Sequence, residues 1–468
     1  MNRIVSRYSH FVLFAIFATI VIGCASIVPM SVRIQNADRA LEKANGFRVQ
    51  SSEPETRAKE LAQQKALYDA ALDAYLVVVQ GDPTGKYAQR GHFGAAQIYR
   101  KRGEWDKATE HYQAIVELAP FGYYAGESRS NIANIRKNRE LIQNERRSYQ
   151  NYKALYEQTK DSEPEKAQNS YDTAAESLYN VAKAYETLDN FAEAIRHYEK
   201  VADEFPEHRL APQAQSNAGR VYFYKLFDYS DAGGWGAYRK LIETFPDSFE
   251  ADNAKTTLIK TDELLKQIRF DQDHIRKYTS SMAIKFMGTG RKLLPSEIYV
   301  MGYEDQMVQD HQQIARNWKK LENYPYAIVA YRNLAETLYT KKYATADALY
   351  QISRLYQDGG EYQLAIEAFD YFFENAPEST WRDEGVYQQA VCYRAIREFS
   401  KALSMFKAYM SLGKDSEYYR AAEQIVREME LDQDGDGHQL YKEQEAGTSD
   451  QDPNDYPGAR KVAKAETE

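Results

Sequence analysis

One spacing recurs along this chain and constrains its fold more than any other feature. In "YETLDNFAEAIRHYEKVADEFP", Tyr185 is followed nine residues on by Ala194, then by Tyr198, Val201 and Pro206 at intervals of four, three and five. "YRKRGEWDKATEHYQAIVELAP" repeats the offsets with Tyr99, Ala108, Tyr112, Ile115 and Pro120. "YQDGGEYQLAIEAFDYFFENAP" does so with Tyr356, Ala365, Phe369, Phe372 and Pro377. A further unit supplies Tyr393, Ala402, Phe406 and Tyr409, with Lys414 where proline would stand. Partial copies run through Ala71, Tyr75, Val78 and Pro83, and through Trp318, Ala327, Tyr331 and Leu334. Another copy, from Tyr222 to Gly234, Tyr238, Leu241 and Pro246, is three residues too long in its first half.

Apolar residues three and four apart share one face of a helix. The alanine suits the closest crossing of two helices, the aromatic one turn later fills the adjoining gap, and the proline stops the second helix. A unit this small cannot bury its face alone and must stack on neighbours. The pattern resembles the tetratricopeptide repeat (TPR), a pair of antiparallel helices of about 34 residues. That resemblance covers most of residues 60–412 and implies an all-α, TPR helical-hairpin solenoid. Its concave surface is expected to bind extended segments or helices of other proteins.

Two stretches break the phase. Residues 121–170 contain the charged run "NIRKNRELIQNERRSYQNYKALYEQ", read as a longer hairpin whose basic face is solvated. Residues 266–310 mix β-branched residues, glycine and proline, and are expected to be an irregular insertion or partial repeats. They separate an N-terminal array over 56–265 from a C-terminal array and capping helix over 311–430. "GTGRK" at Gly288 to Lys292 lacks the Gly-Lys-Ser/Thr ending of a phosphate loop and reads as a linker turn.

The first residues read as an address. Arg3 and Arg7 precede an apolar run from Phe11 to Ile22 and then "VIGC". That junction resembles a bacterial lipoprotein box, although Val21 and Ile22 depart from its commonest form. The resemblance implies a signal peptide over 1–23, cleavage before Cys24, lipid on Cys24 and a tether over 24–55. Ala25, rather than aspartate, implies the outer membrane, with the body facing the periplasm. The alternative is an uncleaved N-terminal membrane anchor over Phe11 to Met30.

Composition excludes more than it selects. A net charge of −9 argues against generic nucleic-acid binding. Two cysteines, Cys24 and Cys392, give no disulfide framework, and Cys392 reads as a buried thiol on an apolar helix face. The eight histidines show no zinc spacing, and no nucleophile elbow or Cys-His arrangement occurs. No catalytic constellation emerges and no small-molecule substrate is expected.

Near the C-terminus, "DQDGDGHQLYKE" matches the spacing of a calcium loop with Asp432, Asp434, Asp436, Gly437 and Glu443. Three alternating aspartates, the backbone carbonyl of His438 and a closing glutamate supply the oxygens a hard cation needs. Helix-forming sequence precedes this loop, whereas "QEAGTSDQDPNDYPG" gives no outgoing helix. The acidic tail over 431–468 therefore resembles thrombospondin type-3 or dockerin loops more than an EF-hand pair, and implies structural calcium. The alternative is a disordered acidic tail.

Most of the 38 tyrosines occupy packing positions. Tyr123, Tyr124, Tyr224, Tyr303 and Tyr326 lie off the pattern and are candidates for partner contacts. These features together point to a lipid-tethered scaffold that joins proteins of a bacterial envelope complex. "AIRHYEKVADEFPEHRLAPQAQ" resembles BamD-type assembly factors, and the general make-up is similar to TPR lipoproteins of gliding-motility and pilus machines. A peptidoglycan- or glycan-binding module is the alternative. An envelope enzyme using a carboxylate such as Glu297 or Glu304 is a third reading that no motif supports.

Overall fold

The computed structural model describes residues 28–47, 49, 51–85, 87–120, 122–287, 304–338, 340–413, 417–434, 437–446, 448, 451–452 and 457. Eighteen helices and no strand occur among the described residues. In order they are α1 (Met30–Gly46), α2 (Pro54–Gly81), α3 (Ala88–Lys101), α4 (Trp105–Leu118), α5 (Tyr123–Thr159), α6 (Pro164–Thr187), α7 (Phe191–Glu204), α8 (Ala211–Tyr224) and α9 (Gly234–Thr244). There follow α10 (Phe249–Met287), α11 (Glu304–Lys320), α12 (Tyr324–Thr337), α13 (Lys342–Asp358), α14 (Tyr362–Asn375), α15 (Arg382–Ala395), α16 (Phe399–Met410), α17 (Tyr419–Met429) and α18 (Leu440–Ala446). They form two compact units. The first ends at Ala214, the second begins at Gln215, and residues 121–123 group with the second.

The repeat pattern is the core pattern. Ala71, Ala108, Ala194, Ala327, Ala365 and Ala402 are all completely buried at helix crossings. The aromatic one turn later in each copy, from Tyr75 through Phe406, is buried with it. Gly234 takes the alanine position in the over-long copy because a Cβ there would lie 2.2 Å from the ring of Phe223.

A local backbone device closes six of the hairpins. Four residues after the aromatic that opens the repeat, the chain enters the left-handed region at Gly103, Asp189, Glu322, Gly360 and Arg397, with φ between 57° and 79°. The next amide then donates back to the carbonyl of Tyr99, Tyr185, Trp318, Tyr356 or Tyr393 at 2.9–3.0 Å. This capping bond ends the first helix and turns the chain into the second. In the copy with three extra residues the left-handed residue is Phe227, and the Asp228 amide makes the equivalent bond to Tyr222.

Three stretches differ from their sequence-based expectation. Within the expected tether, α1 buries Ile34, Ala37, Leu41 and Ala44 against Ala71, Leu72, Tyr75 and Val78 of α2, which adds a hairpin before the first recognised repeat. The stretch 266–310 is helical to Met287 and again from Glu304, while Gly288 to Lys292 and Glu297 lie outside the described residues. The basic run on α5 is also more than a solvated face. Arg139 lies over the ring of Trp105 at 5.9 Å and Arg146 over Tyr185 at 5.5 Å. Each guanidinium thus covers an aromatic of a neighbouring repeat.

Candidate partner-binding face and C-terminal loop

In the second unit the first helices of consecutive hairpins are α11, α13 and α15, and polar side chains tie them together. Gln312 Nε2 donates to Asp347 Oδ2 at 2.9 Å, and Lys319 Nζ to Asp358 Oδ2 at 2.7 Å. From α13, Arg354 Nη1 donates to Glu384 Oε1 and to the Tyr350 hydroxyl, both at 3.1 Å. Gln357 Nε2 reaches Gln388 Oε1 at 3.1 Å. Arg316 and Lys320 stand exposed on α11, the helix that carries the first of these ties. Burial raises the Asp347 carboxyl above the usual range, against the hydrogen bonds from Gln351 and Gln312 and the nearby Arg316 charge. The ties recur at about the repeat spacing, and the two exposed cations lie together on α11 beside the first of them.

The apolar reading of the sequence does not find these pairs. They have a signal of their own: each partner lies 30 to 39 residues from the other, about one repeat away. The first unit carries comparable ties, with Arg100 on Asn131 at 2.6 Å and Arg209 on Glu176 at 2.6 Å. Arg100 also pairs with Asp189, one of the left-handed turn residues.

The four off-pattern tyrosines among the described residues are each half-buried. Tyr124 is half-buried on α5 in the first unit, its ring 5.1 Å from Phe93. Tyr123, at the start of α5, is half-buried as well. In the second unit Tyr224 ends α8 with its ring 6.3 Å from Phe223, and Tyr326 on α12 lies 5.2 Å from Trp318. Tyr303 lies outside the described residues. Among the described residues the most open rings are instead Phe249, Tyr343, Tyr371 and Phe270, between 55% and 77% exposed.

Cys392 is buried, and burial pushes its thiol up to about 12 against the nearby Arg354 charge, so it has little thiolate character. Glu304, one of two carboxylates considered for catalysis, is buried and lies 3.4 Å from Lys341 Nζ. Cys24 lies outside the described residues, among which no helix is long and apolar enough to cross a membrane.

The C-terminal loop has a defined turn. Gly437 adopts φ +91°, its amide donates to Asp432 Oδ2 at 3.0 Å, and Leu440 N–H closes the loop onto Leu431 O at 2.7 Å. Asp434 and His438 lie within this turn, whereas Asp436 lies outside the described residues. Glu443 is 0% exposed, an environment in which a carboxylate requires a close counter-charge or donor. It sits on α18, so a short outgoing helix is present where none was expected. Formation of a helix at Leu440 turns Glu443 inward. It also places Glu445 where its two oxygens accept the amide and hydroxyl of Ser400, at 2.6 and 2.9 Å. These bonds cap the first turn of α16, so the loop and the last repeat are mechanically joined.

Three segments match tetratricopeptide repeat family models: residues 92–120, 175–208 and 347–379. These segments fall on the α3–α4, α6–α7 and α13–α14 hairpins, so these three hairpins are TPR repeats. No curated protein sequence matches the chain significantly. Among solved structures, the chain is similar to the TPR2AB domain of yeast Sti1 in its pHSP90 complex, at 13% identity and TM-score 0.23, covering 73% of this chain and 98% of that one. Yeast Tom70 aligns at 13% identity and TM-score 0.24, covering 84% and 95%. A tetratricopeptide repeat protein from Parabacteroides merdae aligns at 14% and 0.17, covering 84% and 99%.

Proposed function

We propose that this chain is a non-catalytic scaffold lipoprotein of the bacterial outer membrane, facing the periplasm and held by lipid on Cys24. It binds protein components of an envelope complex for outer-membrane assembly, motility or secretion. The observation that carries the binding role is the register of polar ties along α11, α13 and α15, with Arg316 and Lys320 exposed beside them. TPR repeats suggest protein–protein interaction in general, and the "VIGC" junction supports the lipid anchor. Labelling cells with a palmitate analogue tests the anchor. Label is expected in the membrane-bound chain and absent from Cys24→Ser, whereas label-free membrane retention of the unaltered chain would reject it.

The proposal includes a structural calcium ion. Asp432, Asp434, Asp436 and Glu443 would supply carboxylates and His438 its backbone carbonyl, a donor set of the hard-oxygen kind. The left-handed Gly437 and the fully buried Glu443 fit that assignment. Bound calcium would supply positive charge for Glu443 and so hold α18 and its Glu445 cap on the last repeat. Titration calorimetry checks this, with an expected affinity of roughly 10⁻⁴ to 10⁻³ M. Heat that survives in Glu443→Gln unchanged would contradict it.

A further inference from the structure

The packing of α10 against α11 is apolar at most positions, with Ile268 and Ile275 meeting Met307, Val308, Ile314 and Leu338. Asp271 of α10 and Asp310 of α11 interrupt it, and each is only 4% exposed. The two are held alike. Gln267 Nε2 donates to Asp271 Oδ1 at 2.7 Å, and Gln306 Nε2 donates to Asp310 Oδ1 at 2.9 Å. In both residues Oδ2 is buried and accepts no hydrogen bond. The Nδ1 of His274 is buried in the same way, 3.9 Å from Asp310 Oδ2.

Buried polar atoms of this kind call for a partner. A metal centre is not the fit, because among the described residues no three His, Cys, Asp or Glu side chains are disposed to hold one. Two neighbouring carboxylates removed from water resist ionising together, and one proton between them resolves the conflict. We infer that Asp271 and Asp310 form an acid pair that takes up one proton, so that mild acidification tightens the packing of α10 on α11. The proton comes from solvent and is taken up by the Asp271 carboxyl, beside the Asp310 charge.

The surroundings agree in sign. Burial raises the Asp271 carboxyl, the Gln267 hydrogen bond opposes it, and the Asp310 charge raises it further against His274. A carboxyl raised in the folded state holds its proton more strongly folded than unfolded. Stability therefore falls as pH rises through the folded value and is regained on acidification, down to the ordinary carboxylate range. The other titratable groups at this junction are Tyr278 on α10, Glu304, Asp305 and His311 on α11, and Lys341 beyond α12. Lys341 Nζ lies 3.4 Å from Glu304 and 2.8 Å from Asp305, and burial lowers His311 while Asp310 opposes. From α12 the apolar cluster takes in Leu334 and the titratable Tyr331, Leu338 follows that helix, and Tyr229 packs against the same cluster.

The test is thermal unfolding of the full chain in detergent between pH 8 and 5, at one fixed calcium concentration. Asp271→Asn and Asp310→Asn are each expected to melt roughly 2 °C or more above the unaltered chain at pH 8. Both should gain less than it does on acidification. His274→Gln should keep the full gain. Lower melting of both Asn variants at pH 8, or an undiminished gain in them, would overturn the inference. So would loss of the gain in His274→Gln alone, which would make this a histidine–carboxylate pair. A melting increase on adding Mn²⁺ or Zn²⁺, absent from Asp271→Asn, would make it a cation site and equally overturn it.

Discussion

The hairpin from Tyr356 to Pro377 and the α10–α11 junction lie in the same unit and bury one helix on another by opposite chemistry. In the hairpin, Ala365, Phe369 and Phe372 are completely buried, and Ala365 lets the helices approach. A polar tie lies beside it, where Arg354 of α13 donates to Glu384 of the next repeat. The junction keeps an apolar frame but encloses two aspartates and a histidine edge. This hairpin is thus held by the fit of its side chains, which depends little on conditions. The junction adds ionisable groups, and its strength follows pH.

That contrast can be broken first where the fit is tightest. Phe369→Ala should destabilise by about 3–5 kcal/mol, seen as a lower denaturation midpoint, because it opens a cavity between packed rings. Ala365→Leu should cost about 1–3 kcal/mol by forcing the crossing apart. If it were tolerated without loss, the alanine would not be setting the helix spacing. Asp271→Asn changes a buried side chain as well, yet should raise the melting temperature at pH 8, the reverse of the two hairpin variants.

The C-terminal cap comes next. Glu445→Ala removes the acceptor for the Ser400 amide and should cost about 1 kcal/mol. Hydrogen exchange should quicken at the start of α16 and leave α13 unchanged. Smallest is Arg397→Gly, which should stabilise by about 0.5–1 kcal/mol, since φ of 64° strains a residue with a side chain.

A polar pair inside a regular repeat sharpens the comparison from the other side. His92 and His111 meet at 2.8 Å between their Nδ1 atoms in the first unit. Burial, with His111 beside it, lowers His92 to about 4. The unfolded chain therefore takes up a proton that the folded one refuses. Stability is full above about pH 6.5 and is lost as pH falls toward 4, opposite to the acid pair. Exchange in α3 and α4 should quicken over that range, and His92→Gln should blunt the effect.

What the sequence discloses follows from this division. The repeat copies were legible because their buried residues are apolar at helical spacing, and each completed alanine–aromatic pair is buried as read. The hairpin turn was only half legible. Gly103 and Gly360 announce a left-handed residue, but Asp189, Glu322 and Arg397 occupy the same place without glycine. The helix α1 was hidden by its position in the stretch read as a tether, although Ile34, Ala37, Leu41 and Ala44 are spaced for a helix face. Asp271 and Asp310 were invisible because carboxylates on a charged helix ordinarily face water. In the loop, the aspartate spacing was legible, whereas the exit helix and the cap on Ser400 depend on a partner 45 residues away.

We propose that the face of α11, α13 and α15 gathers envelope proteins while Cys24 tethers the chain. Cross-linking of whole cells, affinity purification of the tagged chain and mass spectrometry test it most directly, beside Cys24→Ser and an Arg316→Glu/Lys320→Glu variant. Near-stoichiometric recovery of a few envelope proteins is expected, reduced by Cys24→Ser and lost in the charge-reversed variant that still folds. Recovery of wall fragments without protein partners, or of the same partners from all three chains, would contradict it.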